Sequence, residues 1–480
     1  MNELPEPPDL LSPSLDELRA SDFAHLDEAG HRYFDYTGAG LAARRQVDAA
    51  HSLLSSHTLG NPHSENPTSA PATELVDEAR RRVLDYFGAE DHECIFTQNA
   101  SGALKLVGES FPFGPQRPFL LSADNHNSVN GIREFARRRN APGSVVALER
   151  PSLRIDLSQA RSALHNPPQG KPGLFAFPAQ SNYSGVQHPL SLVSEARDAG
   201  WRVLLDTAAF APTNRLDLTA VQADFVCVSF YKMFGLPTGV GALIARRDAL
   251  AELERPWFAG GTISMVSVVA DDHRLAPGHA AFEDGTVNFA SIPSVVDGLD
   301  LIESVGIDTI HQRVHTATSF LLGALGELRH SNGEPLVQVL GPNDPAAEAR
   351  GGTIVFNVYD PNGTMVHDGV VTEAASSAGI SLRWGCFCNP GCGETARNLS
   401  ATDMAPFFAR TDAPDFCDLD DRMWDLRGSG ASALRASVGW VTNRADLSAL
   451  LELLAGFRDR TAESLGSPTP ESRLTSPDSP

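Results

Sequence analysis

The sequence is short of positive charge, has few cysteines and contains no long apolar run. It has 38 lysine and arginine residues against 60 aspartate and glutamate residues, for a formal net charge of −22 at pH 7. This acidity argues against nucleic acid or an anionic membrane as a partner, because both would repel the chain. Apolar residues never continue for the roughly 18 positions that a membrane helix needs. Residues 1–18 are acidic and proline-rich rather than basic and then apolar, so we expect a cytoplasmic protein.

The six cysteines fit a cytoplasmic protein better than a disulfide-rich secreted one. Cys94 and Cys227 lie in apolar runs typical of packed strands. Only Cys386, Cys388 and Cys392 cluster in sequence. A structural zinc site needs four ligands, and no paired histidine follows these three thiols, so no metal is predicted.

The chain is organised around residues 203–246, where charged residues end two apolar runs. The run 203–205 leads into Asp206, and the run 225–230 leads into Tyr231 and Lys232. We interpret both runs as buried parallel strands, whose carboxyl ends form the edge at which open α/β sheets bind ligands. Enzymes that use pyridoxal phosphate bind its aldehyde through a lysine and hold its pyridinium nitrogen with an aspartate. The pattern is therefore typical of such a site, and the alternative is a surface lysine near a strand-end aspartate.

Further strand ends bring polar groups to the same edge. Residues 94–97 read as a strand, followed by a small-residue turn and a helix from Ala103, which predicts an anion site with Ser101. The alternative there is an ordinary turn. His126 follows a short apolar strand, where it either meets solvent or stacks on a ring. Residues 178–185 follow another strand and supply amides and hydroxyls.

The length and the 42% hydrophobic content predict a globular protein of two or three domains. We expect an N-terminal arm over residues 1–32 and a large α/β domain over residues 33–290. A smaller α+β domain should follow over residues 291–463, because a strand-like run near residue 355 and an amphipathic helix near residue 450 end the chain. Residues 464–480 are predicted to form a disordered tail.

Nine stretches, in this order, resemble the cysteine-desulfurase-like domain of molybdenum cofactor sulfurases, within the class V aminotransferase superfamily. The resemblance covers nearly everything from Tyr33 to Phe457. The stretches are LGNPHSEN, CIFTQNASGALKLVGESFPF, NHNSVNGIREFA, FPAQSNYSGVQHPLS, LLDTAAFAPTNRLDL, QADFVCVSFYKMFGLPTGVGALI, FEDGTVNF, LRWGCFCNPGC and LRASVGW.

The resemblance implies fold type I, with a mostly parallel, seven-stranded type of sheet in the large domain, and a homodimer with its sites at the subunit interface. It implies pyridoxal phosphate as cofactor and a small amino acid as substrate. The residue roles that it implies are a covalent bond to Lys232, Asp206 at the pyridine nitrogen, His126 stacked on the ring, Asn182 near the ring hydroxyl, Ala100, Ser101 and Ser229 at the phosphate, Thr286 at the neighbouring subunit's phosphate, and Arg435 at the substrate carboxylate.

The implied reaction removes sulfur from L-cysteine and leaves alanine. The position of the sulfur-accepting nucleophile corresponds to Cys388, in a loop that glycine and proline make suitable for movement. The resulting persulfide would pass its sulfur to an acceptor, which for this chain would be a separate protein.

The sequence also departs from the family pattern. Trp384 replaces a threonine, one residue is missing before Cys392, and Gln98-Asn99 stand where Ser-Gly is usual. We also expect no second module of the kind that binds the molybdenum cofactor. Two alternatives therefore stay open: a stand-alone carbon–sulfur lyase or another class V enzyme, and a non-catalytic interaction protein that kept the fold.

Overall fold

The structure, a computed structural model, describes residues 4–10, 12–62, 64–165, 172–411 and 415–466. Within these residues, seven strands form one sheet. In spatial order they are His92–Thr97, Gly241–Arg246, Phe225–Ser229, Arg202–Asp206, Leu174–Pro178, Phe119–Ser122 and Gly143–Val146. Gly241–Arg246 runs antiparallel to both of its neighbours, and every other pairing is parallel. The other six strands therefore end at the same edge, as the sequence predicted for the strands that lead to Asp206 and Lys232.

Helices cover both faces of this sheet, which explains why its central strands are apolar throughout. Phe225–Ser229 and Leu174–Pro178 are buried at every position. The helices in this part of the chain are Pro13–Asp22, Ala24–Glu28, Arg44–Ser56, Ser69–Tyr86, Ala100–Ser110, Asn127–Asn130, Ile132–Arg138, Leu157–Leu164, Ser191–Asp198, Phe230–Phe234, Arg247–Leu250 and Ser294–Val305, with a 3-10 helix at Gly278–Phe282. A hairpin of Ile263–Ser267 and Asp272–Leu275 stands apart from the large sheet.

A second, antiparallel sheet follows, with four strands among the described residues. Its spatial order is Val337–Leu340, Thr353–Val358, Ala433–Ser437 and Arg383–Gly385. The helices of this region are Ile307–Glu327, Asp368–Ser377, Pro390–Arg397, Ala401–Phe408, Phe416–Arg427, Arg444–Ala455 and Ala462–Leu465. Side chains of Val314, Phe356 and Leu450 share one apolar core, so helices and strands here pack as an α+β unit.

The N-terminal segment forms backbone hydrogen bonds with residues of the second sheet and its neighbourhood. Arg32–Tyr33 pairs in parallel with Ile380–Ser381. The Ser437 N–H then donates to the Phe34 carbonyl at 2.7 Å, and Asp35 forms a parallel bridge with Ser437. Residues close to the start of the chain therefore lie beside the last strand of the sheet.

The predicted domain boundaries stay predictions, although one element beyond each end of the predicted large domain packs with the large sheet. Leu15 of the arm and Leu299 of the helix Ser294–Val305 lie in the same apolar cluster as the large sheet. Of the predicted tail, residues 467–480 lie outside the described residues, and the helix Ala462–Leu465 covers its first two positions. Across the described part of the chain, no helix combines the length and the apolar content needed to span a bilayer.

Candidate active site

Seven of the residues predicted to form the site line one cavity at the carboxyl edge of the large sheet. They are Ala100, Ser101, His126, Asn182, Asp206, Ser229 and Lys232. They come from the ends of separate strands and from the helices that follow, so the parallel topology brings them together. Gln180, which sequence analysis named only within residues 178–185, also lines this cavity, as does Tyr231, to which sequence analysis gave no role.

The helix Ala100–Ser110 points its N-terminus at this cavity, and it begins three residues before the predicted start. The Asn99 side chain caps it by accepting from the Gly102 N–H at 3.0 Å. The Ala100 N–H donates to Ser229 Oγ at 2.8 Å, and the Ser101 and Ser128 hydroxyls lie 2.6 Å apart. A helix N-terminus and neighbouring hydroxyl groups together suit a phosphate group.

Glycine at position 241 allows this close arrangement. A Cβ atom at Gly241 would lie 2.6 Å from the Asn99 Cα and from the Val228 carbonyl oxygen. Any larger residue would push the capping turn away from the strand that carries Ser229.

Lys232 lies one turn beyond its strand, in the short helix Phe230–Phe234 rather than at the end of the apolar run. Burial lowers the pKa of its ammonium group, Asp206 partly opposes this shift, and Arg435 adds to it. A lowered pKa increases the neutral amine fraction, and the neutral amine is the form that attacks an aldehyde.

Asp206 ends the strand Arg202–Asp206 and is 8% exposed. Its Oδ1 accepts from the Ala208 N–H at 3.0 Å and from the Cys227 thiol at 3.4 Å. Burial and the Asp206 charge raise the pKa of Cys227, so this thiol stays protonated and donates. These two bonds fix the carboxylate at the cavity wall, where it suits a cationic ring nitrogen.

His126 caps the helix Asn127–Asn130 with its own side chain. Its Nδ1 accepts from the Ser128 N–H at 3.1 Å. The bond to a backbone donor makes Nδ1 an acceptor, so the neutral ring carries its proton on Nε2. The imidazole is half-buried and is part of the cavity wall.

Arg435 lies on the strand Ala433–Ser437, directly opposite Arg383 of the neighbouring strand. Asp35 bridges the two arginines. Arg435 Nη2 donates to Asp35 Oδ1 at 3.0 Å, and Arg383 Nη2 donates to Asp35 Oδ2 at 2.6 Å. Arg435 is 3% exposed, and its Nη1 donates to the Asn182 carbonyl at 3.1 Å. Sequence analysis identified neither Arg383 nor Asp35 as part of the site.

The three clustered cysteines have different environments. Phe387 (φ 57°) and Cys388 (φ 52°) both adopt left-handed backbone conformations and form a tight turn before the helix Pro390–Arg397. The Cys388 carbonyl accepts from the Asn127 N–H at 2.7 Å, and the Phe387 ring lies 4.7 Å from the Arg435 guanidinium carbon. Cys388 is thus held near the cavity, although it is not among the described residues that line it.

Cys392 is a packing residue. It is fully buried with Tyr183 and Phe387, and burial raises the pKa of its thiol well above the usual value. Cys386 lines a separate apolar cavity together with Met404 and Phe407. No group of three or more candidate metal ligands occurs within the part of the chain that the structure describes.

Thr286, which was predicted to contact the phosphate, does not line the cavity that contains Lys232. It lines a different cavity, with Gln98 and Asn288. Its expected contact with the phosphate of a neighbouring subunit requires a second chain, so this role stays a prediction.

Comparisons with known proteins identify the family of the chain. Residues 32–450 match the family model of class V aminotransferases. The molybdenum cofactor sulfurase of Homo sapiens is 36% identical over 467 residues, which cover 93% of this chain and 51% of that protein. The molybdenum cofactor sulfurase of Solanum lycopersicum is 35% identical over 465 residues, which cover 90% of this chain and 56% of that protein. The chain thus spans about half the length of these relatives.

Solved structures show the same fold. The apo cysteine desulfurase of Thermococcus onnurineus NA1 matches with a TM-score of 0.75 at 23% identity, over 95% of this chain and 99% of that chain. A cysteine desulfurase from Escherichia coli matches with a TM-score of 0.71 at 19% identity, over 92% of this chain and 97% of that chain. At these identities the likeness concerns the fold alone. The predicted fold class is therefore confirmed.

Proposed function

Because the chain belongs to the class V aminotransferase family, we propose that it is a cysteine desulfurase of the molybdenum cofactor sulfurase type. The enzyme removes sulfur from L-cysteine as a persulfide on Cys388 and passes it to an acceptor. Family membership also confirms two predictions, that the chain is an enzyme and that its cofactor is pyridoxal phosphate. The observation that carries the proposal is that Lys232 and Asp206 line one cavity. Hydrogen bonds hold Arg435 and the turn of Cys388 to residues beside this cavity.

The residues of the cavity fit pyridoxal phosphate. Lys232 offers an amine whose pKa is lowered by burial, and the buried Asp206 carboxylate suits the ring nitrogen. The helix N-terminus at Ala100, with Ser101 and Ser229, would hold the phosphate, and His126 would lie on the ring. When bound, the cofactor supplies an electron sink that draws electrons from the substrate Cα.

The protein groups then have distinct tasks. Arg435 would bind the substrate carboxylate, and the Lys232 amine would carry the proton of the substrate Cα. The Cys388 thiolate attacks the substrate sulfur, so an S–S bond forms as the C–S bond breaks. The electron pair of the broken bond stays on carbon, which takes up a proton. L-cysteine and the Cys388 thiol therefore become alanine and a persulfide.

The proposal also includes two partners, a second copy of the chain and a sulfur acceptor. A homodimer would bring Thr286 of one subunit to the phosphate of the other. A separate protein in the cytoplasm would accept the sulfur. The acidic surface that the net charge of −22 implies suits an acceptor with a basic docking face.

A carbon–sulfur lyase is the second candidate, and one observation favours it. Cys388 does not line the cavity among the described residues, and hydrogen bonds hold its turn to neighbouring elements. A lyase would need only the cofactor and Lys232, and it would convert L-cysteine and water to pyruvate, ammonia and sulfide.

Cys388→Ser separates the two candidates. For a desulfurase, the variant should keep its bound cofactor, seen by absorbance, and stop forming alanine. Mass spectrometry of wild-type protein after brief exposure to L-cysteine should show one added sulfur atom on Cys388. Cys417→Ser, which changes a thiol outside the site, serves as the control and should keep full activity. Steady release of pyruvate and sulfide by Cys388→Ser would instead establish the lyase.

A further inference from the structure

Two asparagine side chains connect the turn of Cys388 to the wall of the cofactor cavity. Asn389 is fully buried. Its Nδ2 donates to Asn182 Oδ1 at 2.9 Å and to the Asp124 carbonyl at 2.7 Å. Asn182 Nδ2 in turn donates to the Phe387 carbonyl at 2.8 Å. The residues on either side of Cys388 in the chain are therefore both bonded to Asn182, which lines the cavity.

Backbone groups at both ends fix the direction of this hydrogen-bond chain. It starts at the Cys392 N–H, which can only donate and does so to Asn389 Oδ1 at 3.2 Å. It ends at the Phe387 carbonyl, which can only accept. The Asn389 amide must therefore present its NH₂ group to Asn182, and Asn182 must present its NH₂ group to Phe387. A carboxylate at position 389 would keep the first bond and lose the two donations.

Helix capping alone does not require this amide. The Asn389 oxygen caps the helix Pro390–Arg397, and aspartate would cap it equally well, with a favourable charge at the helix N-terminus. The two donated bonds serve other partners, the Asp124 carbonyl beside His126 and the Asn182 side chain. Asn182 also accepts from Arg435 through its backbone carbonyl. The amide pair thus contacts the turn of Cys388, Arg435 and the segment that leads to His126.

We propose that Asn389 is a positioning residue, which acts with Asn182 to hold the Cys388 thiol in register with the cofactor ring and the substrate. The inference rests on the proposed role of Cys388. Because Asn182 belongs both to the cavity wall and to the amide pair, a group bound in the cavity also fixes the turn. The exposure of Cys388 to a thiol reagent therefore depends on whether the cavity is filled.

Asn389→Asp tests this, because it keeps the cap and the shape of the side chain. Iodoacetamide labelling of Cys388 should be followed by tandem mass spectrometry, with and without pyridoxal phosphate. In wild-type protein the cofactor should slow the labelling, and in Asn389→Asp the labelling should be faster and independent of the cofactor. The turnover number for alanine should fall by roughly 10- to 100-fold, as expected when a reacting group is displaced by about 1 Å. Absorbance should show that the cofactor is still bound.

Asn332→Asp is the matched control. Asn332 likewise donates to a carbonyl, that of Pro361 at 2.7 Å, and accepts from the Glu334 N–H at 3.1 Å, but it lies outside the site. It should change neither labelling nor turnover. If Asn389→Asp does not fold, Asn182→Asp removes the donation to Phe387, and its cofactor-free protein should show the same fast labelling.

The outcomes separate this inference from the proposed function. Wild-type labelling rates in Asn389→Asp, with an unchanged turnover number, would overturn the positioning role and leave the desulfurase proposal intact. If wild-type protein forms no alanine from L-cysteine, the desulfurase proposal fails. The labelling comparison still decides the positioning role in that case.

Discussion

Arg435→Lys should weaken substrate binding strongly, although it preserves the charge. In the structure the guanidinium uses two nitrogens for two separate partners, Nη1 for the Asn182 carbonyl and Nη2 for Asp35. Each of these nitrogens carries two hydrogens, so the same fork can also hold both oxygens of a substrate carboxylate. A lysine ammonium is a single point and cannot reproduce this planar contact.

The magnitude follows from the contact that is lost. A hydrogen bond to a charged group is worth about 2–3 kcal/mol, which corresponds to a loss of roughly 30- to 150-fold in affinity. The fold should survive, because Arg383 still holds both oxygens of Asp35, at 3.1 and 2.6 Å. The defect should therefore appear in the apparent affinity for substrate rather than in the yield of folded protein.

Two measurements check this prediction. Initial rates of alanine formation over a range of L-cysteine concentrations give KM and kcat, and titration with L-alanine, followed by cofactor absorbance, gives an affinity without turnover. Arg329→Lys, at an exposed arginine outside the site, should leave both unchanged. A KM and an L-alanine affinity within twofold of wild type would mean that another group holds the carboxylate.

Three further variants test other groups. Lys232→Ala should abolish repeated turnover without lowering the melting temperature, since removing a buried amine relieves a desolvation cost; continued multiple turnover would contradict its role. Asp206→Ala should weaken cofactor binding, measured by absorbance titration, because the ring nitrogen loses its counter-charge; a wild-type dissociation constant would count against it. Burial, reinforced by Asp420, raises the pKa of Asp368 from 3.8 to about 7. Between these two pKa values the Asp368 carboxyl keeps its proton in the native protein and loses it in the unfolded chain. The free energy of unfolding should therefore fall by up to about 4 kcal/mol as the pH rises from about 4 to about 7. Asp368→Asn should flatten this slope in urea unfolding, and equal slopes would refute the assignment.

The sequence predicts the large sheet well because its signals are local. An apolar run that ends in Asp206 indicates a buried strand and a polar strand end without any knowledge of partners. Parallel topology then places such ends at one edge. Even so, the apolar run before Lys232 predicts a strand through Phe230, whereas the strand ends at Ser229. Periodicity does not distinguish a last apolar residue of a strand from the first residue of the short helix Phe230–Phe234.

The remaining part of the site depends on contacts that local patterns do not encode. Asp35 and Arg435 lie 400 positions apart, and no spacing rule connects them. The turn at Cys388 was expected to be mobile from its glycine and proline content. In the structure it is fastened by Asn389, whose hydrogen bonds reach two distant strand ends. The role of Arg435 was predicted from the family resemblance alone.

The pairing of the N-terminal segment with the last strand of the second sheet governs the order in which the protein can be completed during synthesis. All seven strands of the large sheet have left the ribosome once Arg246 has emerged. Asp35 gains its Arg383 partner earlier, but Asp35 and the Phe34 carbonyl gain Arg435 and Ser437 only when these residues have been made. Such long-range closure is slow, because the chain must first lose the entropy of a very large loop. The residues that line the cofactor cavity are therefore all made before Arg435, and we expect the nascent chain to gain its group for the substrate carboxylate after its cofactor-binding groups.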